Sequence, residues 1–415
     1  MAWNEAQKYK TRKGIFLYVE KLRAVLQKDV TTALSNLDKV AERYGADHSN
    51  LTEVQFWFKA TIRSFFALIE GTNFATRKCV VLFGPPLGID LTTRERAKLA
   101  ERRYDKANDQ LLRKYRRIPP ELGVKLSFRY YPQLFGASFS LDTGGQDWVG
   151  LKTLVKARNK ITHPRTFHDL LPYEALWALR PTLIWYLDES FDLFLTCARA
   201  LGGDLPDPEE REWKRFREKE LPAIPEFDKE TEAQISSVAA SSINYTTSLL
   251  KLLGEEVDQA TSLVQATNPI SEFGQFAIRN YMGALFAVAE GRQSAARFFI
   301  EAAISRGEIS DAVDLSGCDS GELPEGLTAT FHLFSELFGT GYRLPQRGKE
   351  WEGFLKAHAV RNRITHPQRA EDLKITLPEF QQALNGSAWL IHTLKCLIVD
   401  EGKLQSLARP GSSED

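Results

Sequence analysis

One seven-residue string occurs twice in this chain. Arg158-Asn159-Lys160-Ile161-Thr162-His163-Pro164 returns 203 residues later as Arg361-Asn362-Arg363-Ile364-Thr365-His366-Pro367. The same offset runs ungapped from Gly123/Gly326 to Leu170/Leu373, with 17 identities in 48 aligned positions. Leu134-Phe135-Gly136 matches Leu337-Phe338-Gly339, Trp148 matches Trp351, and Gly145 and Gly150 match Gly348 and Gly353. An upstream block, Phe66–Gly71, resembles Phe286–Gly291 at an offset of 220, and Arg77 aligns with Arg297. Such self-similarity marks a duplicated structural unit and limits the fold to two related domains.

The length of 415 residues allows two or three domains. The repeat places an N-terminal domain over 1–203 and a C-terminal domain over 229–415. Between them, 204–228 is rich in Pro and Glu and reads as a linker, with a short helix expected over 209–219. Hydrophobic residues are 43% of the chain and charged residues 26%, the balance of a globular protein. No apolar run approaches the roughly 18 residues that a spanning helix needs. The N-terminal residues carry charge and no apolar core of a signal peptide. The expectation is a cytoplasmic protein with no membrane association. The four cysteines, Cys79, Cys197, Cys318 and Cys396, are scattered and form no C-x-x-C, so neither a zinc ribbon nor a disulfide framework is expected.

The coarse structure reads as all-α, two duplicated helical bundles. Ile15, Val19, Leu22, Leu26 and Val30 recur at spacings of three and four. Leu249, Leu250, Leu252 and Leu253 lead into Val257 and Val264 in the same way. Residues 56–70, 185–198 and 383–399 are apolar and long enough for helices. Strand-like alternation is scarce, and 126–139 is expected to be a short hairpin or an irregular loop.

The repeated motif carries the chemistry. Arg and His lie five positions apart, which on a continuous helix is a rotation of about 140° and would put them on different faces. Pro follows each His, however, and pushes it out of helical dihedrals. Each helix should therefore end at Thr-His, freeing the imidazole to swing back toward the Arg. Imidazole moves protons near neutral pH, and guanidinium donates two parallel hydrogen bonds to a phosphate. RNA cleavage uses both: the 2′-OH loses a proton, the 5′-oxygen gains one, and phosphorane charge is stabilised.

Arg-Asn-x-x-x-His resembles the R-x4-H motif of the HEPN superfamily of nucleases. The resemblance covers about 110 residues of each half. It implies paired helical domains, forming an intramolecular pseudo-dimer here, with both motifs facing one composite site. It also implies a metal-independent endoribonuclease that uses no cofactor and leaves 2′,3′-cyclic phosphate or 3′-phosphate ends. Family members act in toxin–antitoxin, abortive-infection and CRISPR defence, and type VI CRISPR effectors likewise carry two such domains in one chain. Carried over by position, His163 and His366 are the acid/base pair, Arg158 and Arg361 bind the scissile phosphate, and Asn159 and Asn362 orient these groups. Glu70 and Glu290 sit where the family often has a further polar residue, and are candidates to position the Arg.

Other features are weaker. Residues 94–129 hold 12 basic and 5 acidic side chains, including Arg113, Lys114, Arg116 and Arg117. They read equally as a helical RNA-binding stripe or as a solvated face. Lys160 and Arg363, inside the motifs, are further RNA-binding candidates. Trp148, Trp351 and the Leu-Phe-Gly elements read as packing and turns. His48, His168, His332, His358 and His392 show no metal-ligand spacing. Gly84–Gly88 lacks the Lys-Ser/Thr of a phosphate loop. Net charge is zero overall but +11 over residues 1–200 (32 basic, 21 acidic) and −11 over the rest. The alternative to an enzyme is a non-catalytic module that binds RNA or a protein partner. An active ribonuclease needs restraint, and with no sensor domain visible, control by a separate regulatory protein or by oligomerisation is expected.

Overall fold

The computed structural model describes residues 4–47, 51–105, 108, 110–115, 118–162, 177–203, 211, 213, 216, 242–305, 307, 310, 313–319, 323–339 and 343–398. Within them the fold is all-α, with one short hairpin. Two compact units are present. Unit 1 comprises 1–158, 171–225 and 362–374; unit 2 comprises 159–170, 226–361 and 375–415. No described helix is long and apolar enough to cross a membrane.

Unit 1 is built on two long helices packed against each other, α1 (Glu5–Asp47) and α2 (Leu51–Phe83). The periodic residues of α1 face inward: Val19, Leu22, Leu26 and Val30 are fully buried. Each such side chain contributes about 1.5–3 kcal/mol relative to remaining exposed. Helix α2 stops where Gly84-Pro85-Pro86 begins, and Gly84–Gly88 forms a short 3-10 turn rather than a phosphate cradle. Then come α3 (Thr93–Leu99), strands β1 (Arg102–Asp105) and β2 (Gln110–Tyr115), and α4 (Pro120–Tyr130). Helix α5 (Gln146–Thr162) carries the first motif, and α6 (Arg180–Ala200) contributes Tyr186, whose ring meets Phe65 edge-on at 5.4 Å. A buried ion pair, Arg180 to Asp38 at 2.8 Å, ties α6 to α1.

Unit 2 packs α7 (Ser242–Gln265), α9 (Leu323–Phe338) and α11 (Leu377–Ile398) around α8 (Glu272–Ser305). The second motif lies on α10 (Lys349–Thr365).

Two expectations are corrected. The hairpin lies not within 126–139 but at 102–115, with Tyr104 opposite Leu111 and Asp105 opposite Gln110. Residues 126–139 instead finish α4 and make a 3-10 turn, Pro132–Phe135, capped by Gly136 at φ +75°. The basic stretch 94–129 is therefore not one helical stripe. Arg113 and Lys114 lie on strand β2, so helical periodicity does not relate them, and Arg116 and Arg117 lie outside the described residues. Within the Pro/Glu-rich segment, Arg211 pairs with Asp188 and Asp192 of α6, and Trp213 and Phe216 are buried. The rest of that segment, with most of the helix expected at 209–219, lies outside the described residues.

The duplicated glycine on the motif helix has one role in both units. A Cβ on Gly150 would lie 2.0 Å from Thr182 Oγ1, and one on Gly353 would lie 3.3 Å from Gly386 Cα. In each unit the missing side chain lets the motif helix lie directly against the next long helix, α6 or α11.

Candidate functional site

The second motif helix ends as the sequence predicts. Helix α10 closes at Thr365, while α5 is described up to Thr162 and the residues after it lie outside the described residues. The His366 amide makes the last helical bond of α10, to the Asn362 carbonyl at 3.0 Å, and Pro367 then has no N–H to continue it.

In unit 1 a guanidinium and an imidazole converge on one carboxylate. Glu70 projects from α2. Its Oε1 lies 3.1 Å from Arg158 Nη2, and its Oε2 lies 2.8 Å from His366 Nδ1. Arg158 lies on the first-copy motif helix, four residues before Thr162, whereas His366 belongs to the second-copy motif. Arg158 and Glu70 are largely shielded, their side chains 8% and 11% exposed, while the His366 side chain is 42% exposed. The result is a buried cation, a bridging carboxylate and an imidazole open to solvent.

The sequence led us to expect each His to turn back on its own motif's Arg. The pairing found for His366 is instead with Glu70, which also holds Arg158. The physical reason is that the segment after α10 is anchored on α1 and α2. The buried Pro367 packs on Gly71, where a Cβ would come within 2.9 Å of its ring. The Tyr18 hydroxyl donates to the Gln368 carbonyl, Lys78 donates to the Gln368 side chain at 3.1 Å, and Lys21 pairs with Glu371. Asp372, the repeated acid of the Asp-Leu pair, accepts from the Gln368 and Arg369 amides at 2.9 and 3.1 Å and so closes the turn that presents His366.

Unit 2 repeats the Glu–Arg half of this arrangement. Arg361 Nη2 lies 3.1 Å from Glu290 Oε1, with side chains 13% and 10% exposed. The weak upstream match that aligned Glu70 with Glu290 thus corresponds to one contact made twice. His163, the imidazole of the first motif, lies outside the described residues. Asn159 is exposed; Lys160, Asn362 and Arg363 are half-buried.

Trp148 is buried, with the Lys125 ammonium 4.9 Å from its ring centre, while Trp351 is half-buried. Trp351 borders an open groove of about 760 Å³ in unit 2 together with Glu325, His332, Gln346 and Leu355. Among the described residues no lysine or arginine lines that groove. His358 is packed against Phe286 and Phe354 as a core residue. Among the described residues no group of His, Cys, Asp and Glu could hold a metal ion. Cys79, Cys197 and Cys318 are buried, unpaired thiols.

Sequence reasoning missed Tyr18, Gly71, Lys78 and Pro367 as parts of this site. Only Gly71 and Pro367 left a trace, since both fall inside duplicated strings. Comparison with family models, with curated proteins and with solved structures finds no match to this chain.

Proposed function

We propose that this chain is a metal-independent endoribonuclease whose working groups come from both copies of the repeated motif. The observation that carries the reading is the junction at Glu70, where the Arg of one motif and the His of the other meet at hydrogen-bond distance. A group that removes a proton from RNA must be reachable, and His366 is the exposed member of the three. A neutral imidazole accepts the 2′-OH proton as the 2′-oxygen bonds to phosphorus. The P–O5′ bond then breaks, and the leaving oxygen takes a proton from an acid, a role that the HEPN resemblance gives to the other motif histidine, His163. The products are a 2′,3′-cyclic phosphate and a 5′-hydroxyl. Lys78 and Arg369, both exposed beside the His366 turn, supply positive charge for the RNA backbone. A prokaryotic defence or toxin role, with a separate regulatory partner, extends the HEPN resemblance.

The test is RNA cleavage in EDTA by the wild type beside His163→Ala and His366→Ala, with fragment ends analysed. Cleavage by the wild type alone, leaving cyclic-phosphate or 3′-phosphate ends, is expected. Retention of about half the activity by each variant would sink the composite site. Absence of cleavage alongside RNA binding would support the non-catalytic module instead.

A further inference from the structure

We infer that Glu70 is a positioning residue that selects the tautomer of His366, with Arg158 acting through it rather than on the substrate. This rests on the cleavage reading for its consequence, though not for its geometry. Arg158 has only donors to offer, and so does its side of the contact with Glu70. Glu70 as a carboxylate has only acceptors. Arg158 Nη2 lies 3.1 Å from Oε1 and 3.4 Å from Oε2, and Oε2 also lies 2.8 Å from His366 Nδ1, close enough to accept an Nδ1–H. A neutral imidazole is then held as the Nδ1–H tautomer. In that tautomer Nε2 carries the lone pair, on a side chain 42% exposed, which is the form a general base requires.

Burial makes the arrangement one-directional. The Arg158 side chain is 8% exposed and Glu70 11%, so the pair cannot readily exchange partners with water. A phosphate would reach His366 before it reached Arg158. The guanidinium thus fixes the carboxylate, the carboxylate fixes the imidazole, and the imidazole meets RNA. The packing of Pro367 on Gly71, one residue beyond Glu70, sets the distance between helix and imidazole.

The decisive variant is Glu70→Gln. A carboxamide has one acceptor oxygen and one NH2. Arg158 can only donate and lies nearer the Oε1 position, 3.1 Å against 3.4 Å, so the oxygen is expected there, leaving the NH2 toward His366. Nδ1 must then accept, and the proton moves to Nε2. Full-length protein labelled with ¹⁵N-histidine reads this directly, above the pH range of imidazole titration, with His366 assigned by its loss in His366→Asn. The Nδ1–H form is expected in the wild type and in Glu70→Asp, and the Nε2–H form in Glu70→Gln. The same tautomer in wild type and Glu70→Gln would overturn the inference. In the cleavage assay, Glu70→Gln is expected to lower kcat by about 100-fold or more with KM little changed, and Glu70→Asp to recover part of it. Cleavage by Glu70→Gln at the wild-type rate would equally overturn the positioning role. A tautomer that inverts in a protein that cleaves no RNA would instead remove the ribonuclease reading and leave the Glu70–His366 coupling standing.

Discussion

Two glycines in the interiors of unit 1 helices give opposite expectations for one substitution. Gly14 lies on α1 with nothing within 4 Å of the position a Cβ would take. Gly71 lies on α2, where a Cβ would sit 2.9 Å from Pro367 Cγ and 3.0 Å from Leu26 Cδ1. Alanine is favoured over glycine in a helix by about 0.8–1 kcal/mol, so Gly14→Ala should stabilise by about that much. At Gly71 the same gain is opposed by overlap, because carbon atoms pack best at about 3.5–4 Å. Relieving such overpacking costs about 1–3 kcal/mol. Gly71→Ala should therefore range from neutral to about 2 kcal/mol destabilising. Leu26 can rotate its methyl away, but the Pro367 ring is stiff and must move as a body. It carries His366 with it, away from Glu70. A displacement of about 1 Å at a reacting group costs on the order of 100-fold in rate. Urea unfolding of both variants, with cleavage measured on the same preparations, separates the two effects. Gly71→Ala is expected to lose far more activity than stability, and Gly14→Ala to lose neither. A fully active Gly71→Ala would refute the claim that this close approach sets the imidazole.

Two further predictions concern the core of unit 1. Tyr131 is fully buried and its hydroxyl finds no hydrogen-bond partner among the described residues, so Tyr131→Phe removes an unsatisfied group at almost constant volume. It should raise stability by about 1 kcal/mol in urea unfolding, and a loss of that size would mean the hydroxyl is bonded after all. At alkaline pH, burial and then the hydrogen bond to Glu95 push the Tyr130 phenol up to about 12, and burial pushes the Cys79 thiol up to about 12. Both folded values lie above the unfolded ones, near 10 for tyrosine and 9 for cysteine. The folded state therefore holds these protons longer, and its stability is complete at neutral pH and declines as pH rises toward about 12. The urea midpoint should fall steadily from pH 9 to 11.5, and less steeply in Tyr130→Phe; equal slopes would show that Tyr130 titrates as in the unfolded chain.

What the sequence discloses depends on how local the cause is. Helix α1 is legible because Val19, Leu22, Leu26 and Val30 each obey a rule spanning four residues, and all four are buried. The end of α10 is legible because proline acts on its immediate neighbour. The hairpin at 102–115 was not, since its strands are short and charged, and its pairing is irregular between Arg102 and Tyr104. The site lies between these cases. Residue types at Arg158 and His366 advertise proton and phosphate chemistry, but nothing local says which Arg serves which His. That is decided by Glu70, nearly 300 positions from His366 in the chain. A trace was nonetheless present. A glycine in a helix interior costs about 1 kcal/mol relative to alanine, and the Glu-Gly pair is kept in both copies at 70–71 and 290–291. In α2 the reason is visible: the carboxylate and the gap beside it are two halves of one device. Gly71 admits Pro367, Pro367 brings His366, and Glu70 receives it. The Glu70-Gly71 pair is thus a docking notch beside a ligand for a cation. The identity of the segment that docks there is set by the tertiary fold.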